Sequence, residues 1–235
     1  MYSMSDKNLT LTTAKLKKEK KVKRIVKIIL LLILLLLIIL YFVVGIIYNR
    51  SNFSITLDKN LYYEKGLIIY DDKNYKVYRS ELFAESPDTF DNVSYRWLPE
   101  DINESEGGSH NGPNYLAYTF FVENTGSETA NYYSEIVIDD VIKNVDEAVR
   151  IRVYKNDEQT TYAKMSARDL PETNTTPFLE DKLIAFDGNY GLNPGDVDKY
   201  TVVLWIEGSD PECNDNILGG EIKITMNFNS EHIES

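Results

Sequence analysis

Three groups of carboxylates offer the densest chemistry in this chain: Asp71-Asp72, Asp139-Asp140 and Asp210/Glu212/Asp215. Clustered oxygen ligands can hold calcium, and extracellular domains use such sites. None of the three follows EF-hand spacing, so solvated surface is the expectation and no metal ligand is assigned. The only histidines are His110 and His232. There is no H-E-x-x-H, G-x-S-x-G, phosphate-binding loop or dinucleotide fingerprint. No catalytic or cofactor-binding residue is assigned, no cofactor is called for, and the chain is not expected to be an enzyme. Paired carboxylates for glycoside hydrolysis stay open, because acids are abundant.

The single cysteine, Cys213, excludes an intrachain disulfide. It lies in Gly208–Gly220, which reads as a two-turn helix. Asp210 suits the N-cap, Pro211 the first helical position and Gly219 the C′ position. Cys213 and Ile217 then share one face and plug the end of the fold. A reactive or intermolecular thiol is the alternative.

The elements that must position these residues show a period of two. In 221–229, Ile222, Ile224, Met226 and Phe228 take one face, and Glu221, Lys223, Thr225, Asn227 and Asn229 the other. That is a strand with one dry and one wet face. Residues 199–207 alternate with large side chains on both faces, which predicts a central strand. Residues 149–154 and 159–165 form a hairpin around Asn156-Asp157. Strands are also predicted at 114–123, 131–138, 53–57, 67–70, 75–78 and 183–186. One short helical turn is expected in 141–148. Asn193-Pro194-Gly195-Asp196 reads as a turn. The stretch 85–114 reads as a long surface loop. About eight to ten short strands predict a mainly β fold, an antiparallel β-sandwich of immunoglobulin-like or jelly-roll type.

Ahead of this domain, Ile28 to Tyr48 are 21 consecutive uncharged positions, the first 13 all Ile or Leu. As a helix this run is about 31 Å long, a bilayer's hydrocarbon thickness. No polar face exists for a soluble core helix. Residues 1–27 carry nine basic side chains against Asp6 and Glu19, a net +7. The whole chain is −12, so residues 28–235 carry −19. Basic flanks stay cytoplasmic. The expected organisation is a cytoplasmic basic tail (1–27), a transmembrane signal-anchor helix (28–48) and an extracellular β-sandwich (49–235). A cleaved signal peptide is the competing reading, but the run is long and no small-x-small pair follows it. Residues 15–27 could also grip anionic headgroups, although orienting the span explains them. Residues 1–14 are polar, aperiodic and expected to be disordered.

The acidic domain disfavours nucleic acid as a partner. Tyr (17) far outnumbers Trp (2), and this usage, with abundant Asn, Lys and Ile, fits an AT-rich, low-GC bacterial genome. In a eukaryote, Asn52, Asn92, Asn103 and Asn174 would each open a glycosylation sequon. Tyrosine-rich sheets can stack on sugars, although most tyrosines simply fill half-exposed sheets.

Tyr115–Gly126, Asn144–Asn156 and Pro194–Asn227 resemble a group of membrane-anchored Firmicutes surface proteins with an immunoglobulin-like β-sandwich. More distantly they are similar to camelysin-like fibre proteins of biofilm matrices. The shared features are a Y-x-F-x-V-x-N-T-G strand exit and a late P-G-D turn. The resemblance covers roughly residues 114–229 and implies a single-pass surface protein for display, adhesion or matrix building. Its partners would be the membrane, other surface proteins, the cell wall or copies of itself. Camelysin is associated with metal-dependent proteolysis, but this chain has no zinc motif, so no catalytic residue carries over. It also keeps a long anchor where the fibre proteins have a cleavable leader.

Overall fold

A computed structural model describes residues 5–48, 51–87 and 91–230. The chain divides into two compact units, Met1–Arg50 and Ser51–Ser235. The first holds helix α1 (Ser5–Tyr48). Over Lys15–Gly45 this helix is long and apolar enough to cross a membrane. Residues 5–14 are helical, against the expectation of disorder. A stable apolar helix supplies the nucleus, and propagation into an adjoining polar stretch then fixes few dihedrals per hydrogen bond. Residues 1–4 lie outside the described residues.

The second unit is mainly β. In chain order it contains β1 (Phe53–Leu57), α2 (Lys59–Lys65), β2 (Leu67–Tyr70), β3 (Glu81–Phe83), β4 (Gly108–Ser109), β5 (Leu116–Asn124) and β6 (Ala130–Ile142). There follow β7 (Val149–Lys155), β8 (Glu158–Ala163), β9 (Thr176–Pro177), β10 (Leu183–Leu192), β11 (Val197–Ile206) and β12 (Glu221–Asn229). One sheet runs β10-β6-β12-β1-β3; the other runs β2-β5-β11-β7-β8-β9, with β4 also on β5. The two form a sandwich. Its core lies between inward positions such as Phe53, Ile55, Phe120, Tyr200, Ile224 and Phe228.

The alternation of β12 appears as predicted: Ile222, Ile224, Met226 and Phe228 are all buried. β11 is central, between β5 and β7. Both its faces are buried because the segment before β5 folds over the outer one. Leu98 and Ile102 there pack on Ala117, Val203 and Trp205. The predicted surface loop is thus partly a cover, with short 3-10 turns at Tyr95–Trp97 and Ile102–Glu104.

The sheets are mixed rather than purely antiparallel. β1 runs parallel to β12 and β9 parallel to β8. Parallel neighbours need no tight turn when they are far apart in sequence, and β1 and β12 are the first and last strands of the described residues. β1 is an interior strand, between β12 and β3. The short β3, β4 and β9 offered too few residues for a period to show. The predicted strand at 75–78 is absent. Tyr75 and Val77 are exposed, and Tyr78 instead stacks on Tyr62 with centroids 3.8 Å apart.

The helix predicted between β11 and β12 is reduced to a 3-10 turn at Asp215–Ile217. Asp210 Oδ1 accepts from Glu212 N–H at 2.8 Å, and Asn214 Oδ1 from Asn216 N–H at 3.0 Å. The Asp210 bond starts one short turn and the Asn214 bond caps a second, so the segment is split into two turns rather than one helix. Gly219 keeps the left-handed conformation expected after a helix. The turn in 141–148 forms at Val145–Glu147.

Two motifs of the sequence meet in space. Gly195 of the P-G-D turn, at φ +85°, donates its N–H to Asn124 O at 2.7 Å. Asn124 is fully buried; its Nδ2 donates to Leu192 O at 2.8 Å and its Oδ1 accepts from Gly126 N–H at 2.9 Å. The N-T-G exit is therefore a hydrogen-bonded joint between the β5–β6 and β10–β11 connections.

Candidate functional site

A polar cleft of about 350 Å³ opens at the sandwich end that holds this joint. Its floor comes from both sheets. Tyr132 Oη donates to Asp198 Oδ2 at 2.5 Å and lies 2.9 Å from Tyr200 Oη. Lys155 Nζ donates to Asn189 Oδ1 and is 3.7 Å from Asp198 Oδ2. Asn156 Nδ2 donates to Asp198 Oδ1 at 3.0 Å, and Asn189 Nδ2 to Ser134 Oγ at 3.3 Å. Burial pushes both phenols far above their ordinary range, so they stay protonated. At the rim, exposed Tyr190 meets Tyr133 edge-on at 6.1 Å, and Phe186 stacks on Tyr133 at 5.6 Å.

This arrangement can bind polar groups by hydrogen bonds, but its ammonium and carboxylate neutralise each other. Tyr132→Phe is expected to cost about 1–3 kcal/mol, because a part-buried hydrogen bond to a carboxylate and a buried one with Tyr200 are lost. Urea denaturation followed by the emission of buried Trp205 measures it; a loss under about 0.5 kcal/mol would refute the structural role. None of these residues was assigned to a site by sequence, and Asn156 was read only as a hairpin turn. The available signal was polar side chains at inward strand positions, Ser134 in β6 and Asn189 in β10, both buried.

The carboxylate groups separate. Asp71 Oδ2 accepts from Tyr118 Oη at 2.6 Å, and Asp72 Oδ1 caps Asn74 N–H at 2.8 Å. Asp139 Oδ2 accepts from Thr225 Oγ1 at 2.5 Å, where the ladder between β6 and β12 slips register. Only Asp210 and Glu212 converge, and their third member is Glu172, not Asp215. The buried Arg150 of β7 sits among them. Its Nη2 donates to Asp210 Oδ2 and lies 3.3 Å from Glu172 Oε2. Glu212 Oε1 accepts from Ala167 N–H at 3.2 Å. The cluster thus has a cation of its own, and it ties the β8–β9 and β11–β12 connections to the sheet.

His110 Nε2 lies 2.9 Å from Thr119 Oγ1, itself 2.8 Å from Thr201 Oγ1. Burial, then Lys199, lowers its pKa, so at neutral pH it is an uncharged member of a hydroxyl chain. His232 lies outside the described residues. Cys213 is half-buried, and Ile217 is half-buried against the core. Burial and then Asp210 push the Cys213 thiol up, which suppresses the nucleophilic thiolate.

Glu207 is buried just beyond β11. It accepts from Trp205 Nε1 at 3.0 Å, Tyr95 N–H at 2.9 Å and Ser209 Oγ at 2.6 Å. Burial pushes this carboxyl up, but the Ser209, Trp205 and backbone donors outweigh burial and hold it below its ordinary range. A lowered carboxyl pKa stabilises the fold above the unfolded value, about 4.3, and that stability is lost as pH falls through the folded value. Glu207→Gln is therefore expected to destabilise at neutral pH, with a gap to the parent that closes below about pH 4. Denaturant midpoints across pH check this; a gap independent of pH would refute it.

No protein-family model matches the chain, and no curated protein matches it.

Proposed function

We propose that this is a single-pass cell-surface protein, N-terminus in the cytoplasm, whose extracellular β-sandwich acts in display, adhesion or matrix building without catalysis. The basic flank and the apolar α1 support the topology. The resemblance to membrane-anchored Firmicutes surface proteins supports the class. One observation carries the non-catalytic reading: the titratable groups that the fold gathers in these two places pair with one another. Tyr132, Asp198 and Lys155 form one lock, and Arg150 with Asp210 and Glu172 another.

Strand recruitment is a weak means of adhesion here. β10 is a long edge, but its ladder to β6 slips register twice, and β3 and β9 are very short. Side-chain surfaces are the better candidates. The test compares cells carrying the full chain with cells carrying residues 1–50 alone. Protease on intact cells should remove the sandwich, and only the full chain should promote adhesion to cells or wall fragments. A sandwich untouched by protease overturns the topology; equal adhesion overturns the role.

A second reading is a small-ligand or carbohydrate-binding accessory module of a surface or secretion complex. The polar cleft beside Tyr190, Tyr133 and Phe186 favours it.

A further inference from the structure

The chain has two tryptophans, placed oppositely: Trp205 is 1% exposed and Trp97 is 79% exposed. A bare indole is expected in a slack loop, yet both flanks of Trp97 are fastened. Val93 N–H donates to Ile206 O at 2.9 Å, and Gly208 N–H returns to Val93 O at 3.2 Å. Tyr95 N–H is held by the buried Glu207 carboxylate, and Leu98 is buried on the cover's small core. A buried charge is thus committed to the turn that holds the ring out in water.

Trp97 borders a shallow, largely open hollow of about 570 Å³. The other lining residues are Asn92, Val93, Ser94, Asn114, Gly208 and Ser209. None is charged, in a domain where residues 28–235 carry −19. Ser94 stands at the N-cap position of the Tyr95–Trp97 turn but makes no capping bond. Asn114 Oδ1 accepts from Asp91 N–H at 3.3 Å, and its Nδ2 has no partner among the described residues. The hollow therefore offers an exposed indole with neutral amide and hydroxyl groups, the Ser209 hydroxyl as an acceptor only because it already donates to Glu207. Pyranose rings need that combination: axial C–H groups pack on the ring while hydroxyls bond to amides and hydroxyls. A protein partner wants a broader apolar patch, and here only Val93 accompanies the indole. A polyanion would meet no cation in the lining and the domain's own negative field.

We propose that the hollow around Trp97 binds neutral pyranose chains, of hexose or N-acetylhexosamine units, and is the surface by which the sandwich grips polysaccharide. This rests on the adhesion reading and names what is gripped.

Because α1 carries no tryptophan, the full chain in detergent micelles reports binding directly through indole emission. Chitotetraose and cellotetraose supply the N-acetylated and plain arms; dextran sulfate is the anionic control. At least one tetrasaccharide should shift the emission to the blue saturably and shield it from acrylamide, while dextran sulfate does neither. Trp97→Phe should abolish the shift and leave Trp205 emission and the melting temperature unchanged. Asn114→Ala, which keeps the reporter, should weaken binding by about fivefold, as expected for one lost hydrogen bond. No saturable response to either tetrasaccharide, or a response that survives in Trp97→Phe, overturns the proposal. So does stronger binding of dextran sulfate than of either tetrasaccharide. Cell assays separate the two readings. Undiminished adhesion by Trp97→Ala cells sinks the saccharide site alone. Tetrasaccharide binding without any adhesion by the parent cells sinks the adhesion role alone.

Discussion

Arg150→Met is expected to remove about 3–5 kcal/mol of stability, the cost of leaving a buried charge without its partner. The Asp210 side chain is 0% exposed and that of Arg150 only 4%. Without the guanidinium, the Asp210 carboxylate is buried beside Glu212 and Glu172, both acids. Already in the parent, burial and then Glu212 hold the Asp210 carboxyl above its ordinary range. In the variant the arginine's opposing pull is gone, so the carboxyl moves further up. A raised carboxyl pKa penalises the fold fully above the folded value, and the penalty fades as pH falls below it. The gap between Arg150→Met and the parent should therefore narrow on acidification. Arg150→Met with Asp210→Leu should recover much of the loss, because apolar groups replace the pair. Denaturant melts of the full chain in micelles test all three statements. A single variant that loses less than about 1 kcal/mol would show that the cluster is not a latch.

This latch also shows what could be read from the residues and what could not. Asp210 and Glu212 were visible as a pair by proximity in sequence. Glu172 and Arg150 lie 38 and 60 positions before Asp210, and no local pattern joins them to it. The same holds for the cleft, where Tyr132, Lys155, Asn189 and Asp198 come from four strands of two sheets. Strand periodicity, by contrast, is written locally. β12 matches its predicted range, and the doubled apolarity of 199–207 correctly indicated a central strand. The reason for that doubling, a cover carrying Leu98 and Ile102, was hidden in a stretch that reads as loop. The failed helix before β12 has a physical cause too. Asp210 does start a turn, with one oxygen on Glu212 N–H and the other on Arg150, but Asn214 caps a second turn and no continuous helix forms. Trp97 was legible only as a residue type; the bonds that fasten its neighbours come from Ile206 to Gly208, more than a hundred positions along the chain.

The other large effect is expected at the last strand. Phe228→Ala should cost about 3–5 kcal/mol, a large share of the roughly 5–15 kcal/mol that holds a domain together. Phe228 is 0% exposed, and three rings surround it: Tyr200 at 5.5 Å, Tyr132 at 5.7 Å and Phe120 at 5.8 Å between centroids. Those rings come from β11, β6 and β5, so the side chain joins both sheets. Its backbone pairs with Leu57 of β1 on one side and Ser134 of β6 on the other. Strands held on both sides cannot easily move in to fill the void, which places the cost toward the upper end of the range. The cavity would also abut the Tyr132–Tyr200 hydroxyl pair. Phe228→Ala and Tyr132→Phe should therefore couple, with a double-mutant energy of about 0.5–3 kcal/mol rather than simple addition. Val197→Ala, at a 38% exposed position of β11, serves as the control and should change stability by no more than about 0.5 kcal/mol. If Phe228→Ala resembled that control, the ring cluster would not be the contact that fastens one sheet to the other.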